Sequence, residues 1–161
     1  MKKKETYCRA INDKNIKRKP TWFLNILIAF DQLGNAFAKG NPDNTISARI
    51  GFFMHHEEGD PSKFWELLES VVNFTFKPID GIEHCFVAYC HDKNEVYQKA
   101  DIVSKIILFI FVVVFCVSFL IVIVRIVAFI FPGVKSQYEE NGKEISLKTI
   151  NILRKEHCSE Y

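Results

Sequence analysis

The longest apolar run in the chain lies near its C-terminal end, where nineteen consecutive residues from Ile106 to Val124 carry no formal charge. At 1.5 Å of rise per residue they cover about 28 Å, close to the hydrocarbon thickness of a bilayer, so the run predicts a membrane-spanning helix over residues 103–131. Lipid offers no water to orphan backbone groups, so even the β-branched Val112 to Val114 must close their hydrogen bonds within a helix. Arg125 interrupts near the end, where a long side chain can snorkel to the headgroups, and Pro132-Gly133 supplies the stop.

The upstream pattern is helical but amphipathic. Over Trp22 to Ala38, at 100° per residue, Asn25, Asp31, Gln32 and Asn35 gather on one side. Trp22, Phe23, Ile26, Phe30, Leu33 and Phe37 take the other. Such a helix fits a membrane interface as well as it fits packing on a neighbouring helix. A signal peptide is a poorer match, because the basic region before it is long, its apolar core is short, and Asp31-Gln32 fall where the chain should stay small or nonpolar. Lys39-Gly40-Asn41-Pro42 reads as a glycine C-cap followed by a new start, predicting a short helix from Pro42 to about Met54. His55 to Pro61 reads as a loop. Ser62 is placed to cap a helix running to about Phe76, with Phe64, Trp65, Leu68, Val72 and Phe76 on its broad apolar face. Lys77 to Gly81 should break that helix, and Ile82 to Lys99 should resume as helix leading into the span.

These elements predict an all-α chain. Residues 1–19 form a basic disordered arm, 20–100 a small helical domain, 103–131 one transmembrane helix, and 132–161 a short charged tail in which Ile145, Leu147, Ile150, Ile152 and Leu153 suit a weak amphipathic helix. A length of 161 residues leaves room for one small domain beside the anchor. The net charge of +2 is nearly balanced, so nucleic acid is not an expected partner, whereas a lipid bilayer and another protein are. Before Trp22, however, eight Lys and Arg residues face only Glu5 and Asp13, a distribution suited to anionic lipid or to a solvated tail. The five cysteines, at positions 8, 85, 90, 116 and 158, show no framework spacing, and free thiols fit a reducing compartment. Charges flanking the span are nearly symmetric. The arm and the thiols tip the expectation toward a single-pass inner-membrane protein with a cytoplasmic helical domain and an external tail.

Asp31-Gln32, Asn35, Gly40, Pro42-Asp43, Thr45, Ser47 and Arg49, followed by Asp80 and His84-Cys85, make a pattern over roughly residues 20 to 90. In it the chain resembles a group of short, uncharacterised proteins of proteobacteria and of their phages and mobile elements. The resemblance implies that genetic setting and no activity, and the long apolar run appears as an extension beyond the common short form.

Three constellations carry potential chemistry. His84-Cys85 and Cys90-His91 are sulfur and imidazole donors of the kind zinc takes, but neighbours on a helix diverge by 100°, so ordinary buried or surface residues are the simpler reading. Cys85 beside His84, with Asp80 one turn earlier, has the composition of a thiol hydrolase, although adjacent side chains rarely face each other as a nucleophile and its base must. Asp31, Asp43, Arg49, Asp80 and His84 together suit a polar network that fixes how the helices dock, which is the preferred reading. No phosphate loop or dinucleotide fingerprint occurs, and no cofactor is expected. The leading functional expectation is therefore a membrane-anchored, non-enzymatic interaction protein. A tethered hydrolase or metal-site protein is one alternative. A membrane-permeabilising protein is another, though only Cys116 and Ser118 within the span are small enough to permit close helix contact.

Overall fold

The computed structural model describes residues 16–19, 21–56, 58–80, 83–92, 96–131, 137–140 and 143–145. The chain forms two compact units, one of Trp22–Lys135 and one joining the two chain ends. The first is all-α: α1 (Trp22–Phe37), α2 (Ile46–His55), α3 (Lys63–Asp80), α4 (His84–His91) and the continuous α5 (Ile102–Ile130).

Local chemistry moves several boundaries away from the sequence expectation. The start of α2 shifts from Pro42 to Ile46 because the Asn41 side chain accepts the Asp43 N–H at 3.1 Å, folding Asn41-Pro42-Asp43 into an Asx turn instead of a first helical turn. Thr45 then serves as N-cap, its hydroxyl accepting the Ala48 N–H at 3.0 Å. At the other boundary α3 runs through Pro78 to Asp80. Proline removes one backbone donor there, but only two residues follow it, and Ile79 and Asp80 are both buried. The chain then reverses at Glu83, which sits in the left-handed region at φ 63°. The helix expected from Ile82 to Lys99 is only α4, because distant partners claim the residues after it. Tyr97 stacks on Phe52 at 4.4 Å, the Val96 carbonyl accepts from Asn44, and the Gln98 carbonyl accepts from Arg49.

The core is built where α2 crosses α3 and α4. Phe53 stacks on Trp65 with ring centres 4.4 Å apart, and Ile50, Leu68, Val72 and Ile79 close around them. Gly51 allows the closest approach, since a Cβ at that position would run into the backbone carbonyl of Cys85 on α4.

One helix among the described residues, α5, is long and apolar enough to cross a membrane. It contributes a single stripe to the core, Leu108, Val112, Cys116, Leu120 and Val124. Steps of four residues drift by about 40° each around an α-helix, which would wind this stripe off the domain. The π-helical turns of Ile110–Leu120 hold more residues per turn and cancel that drift. Away from the stripe, Ile106, Ile110, Val114, Val117, Val122 and Ile126 are exposed. On α1 several aromatic residues face outward together with Asn25, while Leu24 is buried. Gly34 and Asn35 are buried, whereas Trp22 is 78 % and Phe37 65 % exposed, with Phe30 and Leu33 beside them.

In the second unit, β1 (Ile16–Lys19), β2 (Gln137–Glu140) and β3 (Lys143–Ile145) form an antiparallel sheet in that order. The last residues of the arm are thus a strand and not disordered, and Ile145 ends a strand instead of opening a helix. Leu147, Ile150, Ile152 and Leu153 lie outside the described residues. The register sets Lys17 opposite Glu139 and Glu140 opposite Lys143, and also Glu139 opposite Glu144.

The tight α2–α4 crossing yields a direct expectation. Gly51→Ala should destabilise the helical unit by about 1–3 kcal/mol, because backbone cannot move aside as a flexible side chain can. A lowered denaturant midpoint of the detergent-solubilised chain measures this, and an unchanged midpoint would show that the helices part without cost.

Candidate functional site

The polar residues of the helical unit gather into three groups. In the first, the Asp31 carboxylate on α1 meets the N-terminus of α2, accepting the Ile46 N–H at 3.2 Å and the Ser47 hydroxyl at 2.8 Å. A helix start has orphan donors and a partial positive charge, so Asp31 pins α1 to α2 by the same electrostatics that caps use. Asp31 and Ser47 also line an otherwise apolar cleft of about 230 Å³ between α1, α3 and α5, with Phe23, Leu27, Phe76 and Phe115 among its walls.

The second group centres on Arg49, only 1 % exposed. Its Nη1 donates to Asn35 Oδ1 and to the Ala38 carbonyl, both at 3.1 Å, and its Nη2 donates to the Gln98 carbonyl at 3.1 Å and to Ser104 Oγ at 3.3 Å. Ser104 in turn donates to the Ala38 carbonyl. Asn35 Nδ2 donates to the Asn41 carbonyl at 2.8 Å and the Asn44 carbonyl at 3.1 Å. Four segments of chain therefore meet at one guanidinium. Burial pulls Arg49 down to about 10, while the negative charge of Asp101 pulls the other way, so it stays charged at neutral pH. Asp101 caps α5, accepting the Ser104 N–H at 2.7 Å, and pairs with Lys39 at 2.8 Å on the surface.

The third group joins α3 to α4. Asp80 and His84 are buried and directly hydrogen-bonded, and the imidazole stacks on Phe76 at 4.2 Å. The Cys85 N–H, an orphan donor at the start of α4, is taken by Asn73 Oδ1 at 3.0 Å.

The structure thus places the predicted network in pieces. Asp80 pairs with His84, and Asp31 binds the start of α2. Arg49 is held by carbonyls and neutral side chains instead of by a carboxylate bond. Asp43 stands apart on the surface, its carbonyl accepting from Gln32 and its N–H used by Asn41. Sequence reasoning missed Ser104 and Gln98, whose roles depend on contacts some fifty residues away in the chain. It also missed the His55–Glu69 pair at 2.6 Å, because His55 read as a loop residue and is instead the last residue of α2.

The thiol arrangement does not supply a reactive nucleophile. Cys85 is fully buried, and burial, reinforced by the nearby charges of Glu69 and Asp31, pushes its thiol well above the usual cysteine range. A thiolate needs an electropositive, partly open setting. Cys90 is disulfide-bonded, which removes it from the candidate donor set with His84, Cys85 and His91 and weakens the free-thiol argument for a reducing compartment. Among the described residues no three His, Cys, Asp or Glu side chains converge as a metal ion requires. No family model, curated protein or solved structure matches the chain.

Two expectations follow from these environments. Cys85 should resist alkylation at neutral pH in the folded chain and react at the rate of an ordinary thiol once denatured, as peptide mapping of labelled protein would record. Fast labelling of Cys85 in the folded chain would instead reveal an open, activated thiol. For Asp101, the hydrogen bonds from Lys39 and from the Ser104 N–H hold the carboxyl below the usual carboxylate range. Its contribution to stability is then present above the carboxyl's unfolded value and lost as pH falls through the lower folded one. The gap in unfolding midpoint between the native chain and Asp101→Asn should therefore close on acidification, and a gap independent of pH would refute this role for the charge.

Proposed function

We propose that the chain is a membrane-held, non-enzymatic interaction protein of a bacterial inner membrane, serving a phage or mobile element. The observation that carries this reading is a contrast of surfaces. The side chains of Arg49, Asp80, His84 and Cys85 are buried among the docked helices, whereas the outward faces of α1 and α5 are largely apolar, with Asn25 and Ser118 as polar exceptions. Soluble monomers rarely expose a contiguous apolar patch beyond a few hundred Å², and lipid is the solvent that makes such a surface favourable. The resemblance of the Asp31 to Cys85 pattern to short phage and mobile-element proteins supports the genetic setting. With the reactive groups inside, recognition of a protein partner falls to polar outward positions such as Glu66, Ser70 and Lys77 of α3.

Arginines placed on the exposed face of α5 separate a lipid environment from an aqueous one. Each of Val114→Arg and Val117→Arg costs about 2.5–3.5 kcal/mol at the centre of a span, against about 0.5 kcal/mol or less on a wet surface. The native chain should sediment with membranes and resist alkaline extraction, and the double variant should be lost from that fraction. If both proteins stayed soluble at equal levels, the membrane reading would fail.

A further inference from the structure

We propose that the cleft between the loop after α2 and the start of α5 is a site for a zwitterionic phospholipid headgroup, one that carries a phosphate and an amine. This rests on the reading of α5 as a membrane helix. The cleft holds about 330 Å³ and is lined by Glu58 and Asp60 of the loop and by Lys99 and Lys105 of the approach to α5 and its first turn, with Phe53 and Trp65 as an apolar wall. That volume falls in the range of small-molecule sites. Two carboxylates and two ammonium groups thus share one opening. Among the described residues none of these four charges forms an ion pair.

Contacts behind the lining fix both pairs of charges. The loop is pressed onto the end of α2 at Gly59, whose N–H donates to the His56 carbonyl at 3.0 Å. An added Cβ at Gly59 would run into the carbonyls of Phe52, Phe53 and His56. The Glu58 N–H donates to His56 Nδ1 at 3.1 Å. On the basic side, Lys99 follows Gln98, whose carbonyl is held by Arg49, and stands just before the Asp101 cap of α5. The Lys105 ammonium rests over the Phe64 ring at 5.8 Å. Backbone held in this way presents its charges without the ordering cost that a flexible loop incurs on binding.

The pattern of charge selects the ligand. A bare anion would meet Glu58 and Asp60, and a bare cation would meet Lys99 and Lys105, so the lining favours a molecule bearing both charges. Depth selects a lipid. Lys105 is the last charged residue before the nineteen uncharged ones that begin at Ile106, so a membrane helix sets its ammonium among the phosphates of the headgroup layer. Past it, Ile106, Phe109 and Ile110 are exposed along α5 and offer apolar surface to the acyl chains of the same molecule.

Native mass spectrometry of the full-length chain in detergent tests the site with two lipids of identical acyl chains, phosphatidylethanolamine and phosphatidylglycerol, which share the phosphate and differ in the amine. The native chain should retain phosphatidylethanolamine about tenfold better, the increment that one charge-assisted hydrogen bond supplies. Glu58→Gln with Asp60→Asn should remove or reverse that preference, since both lysines remain for the anionic lipid. Lys99→Gln with Lys105→Gln should weaken retention of both lipids. Equal retention of the two lipids by the native chain, or a preference that neither pair of substitutions moves, would overturn the site. Equally tight binding of glycerophosphoethanolamine, the same headgroup without acyl chains, would assign the cleft to a soluble ligand and overturn the lipid. A native chain that sediments with membranes yet shows no preference loses the site alone, whereas one recovered soluble and retaining neither lipid loses the membrane reading as well.

Discussion

The guanidinium of Arg49 is the point on which the helical unit depends. Through two nitrogens it holds the end of α1 at Ala38, the side chain of Asn35, the irregular strand at Gln98 and the first turn of α5 at Ser104. A planar fork with donors on two edges can do this, whereas an ammonium on a flexible stem offers no fixed directions. Burying a charge without a bonded carboxylate is costly, and the cost is met by dipoles: two backbone carbonyls, one amide oxygen and one hydroxyl. Because the acceptors are spread over α1 and its end, the 96–101 segment and α5, and Arg49 itself sits on α2, the charge cannot be satisfied unless all four are in place. That coupling positions α5 against the domain along a full stripe and levels its start with the end of α1.

Where the fold was legible, the signal was local. The charge-free run of α5 and the periodicity of α1 and α3 are properties of consecutive residues, and those helices stand where the pattern placed them, α3 a few residues longer. Where the fold was not legible, a distant partner decided. Helix α4 stops at His91 because Asn44 and Arg49 take the carbonyls of Val96 and Gln98, and nothing within residues 92–99 announces that. The start of α2 was misplaced for a local reason that propensity rules underweight, the competition of an Asn side chain with the first helical turn. The pairing of the arm with the tail spans more than a hundred residues. Charge does not announce it, since the register sets Glu139 opposite Glu144 as well as opposite Lys17.

The candidate site was legible as a set of residues but not as a geometry. Asp31, Arg49, Asp80 and His84 were singled out together, but Asp31 and Arg49 join α2 to α1 and α5 while Asp80 and His84 join α3 to α4. Their connections differ from the ion pairs that charge alone suggested, because a helix N-terminus also attracts the Asp31 carboxylate, and several carbonyl and side-chain oxygens together can take the Arg49 donors without a carboxylate. Amphipathicity has the same limitation. The predicted division of α1 holds only in part, because Asn25 is exposed together with Trp22 and Leu24 is buried with Asn35, and periodicity does not say which face turns inward. An exposed aromatic face is the arrangement expected when the solvent outside is lipid.

If lipid is that solvent, the polar groups acquire a purpose that hydrophobic packing cannot fill. Between helices in water, burial of apolar surface supplies most of the attraction. In hydrocarbon that term vanishes, since acyl chains solvate Leu and Phe as well as another helix does, and association falls to close packing and hydrogen bonds. In the Trp22–Lys135 unit the contacts of α1 with its neighbours include Gly34, where an added Cβ would collide with Phe111 and Ile46, and the Asp31, Asn35 and Ser104 hydrogen bonds. Small residues and polar links are the two devices that work in lipid. The residues of the Asp31 to Arg49 pattern are then understood as a means of holding helices together where the hydrophobic effect is absent.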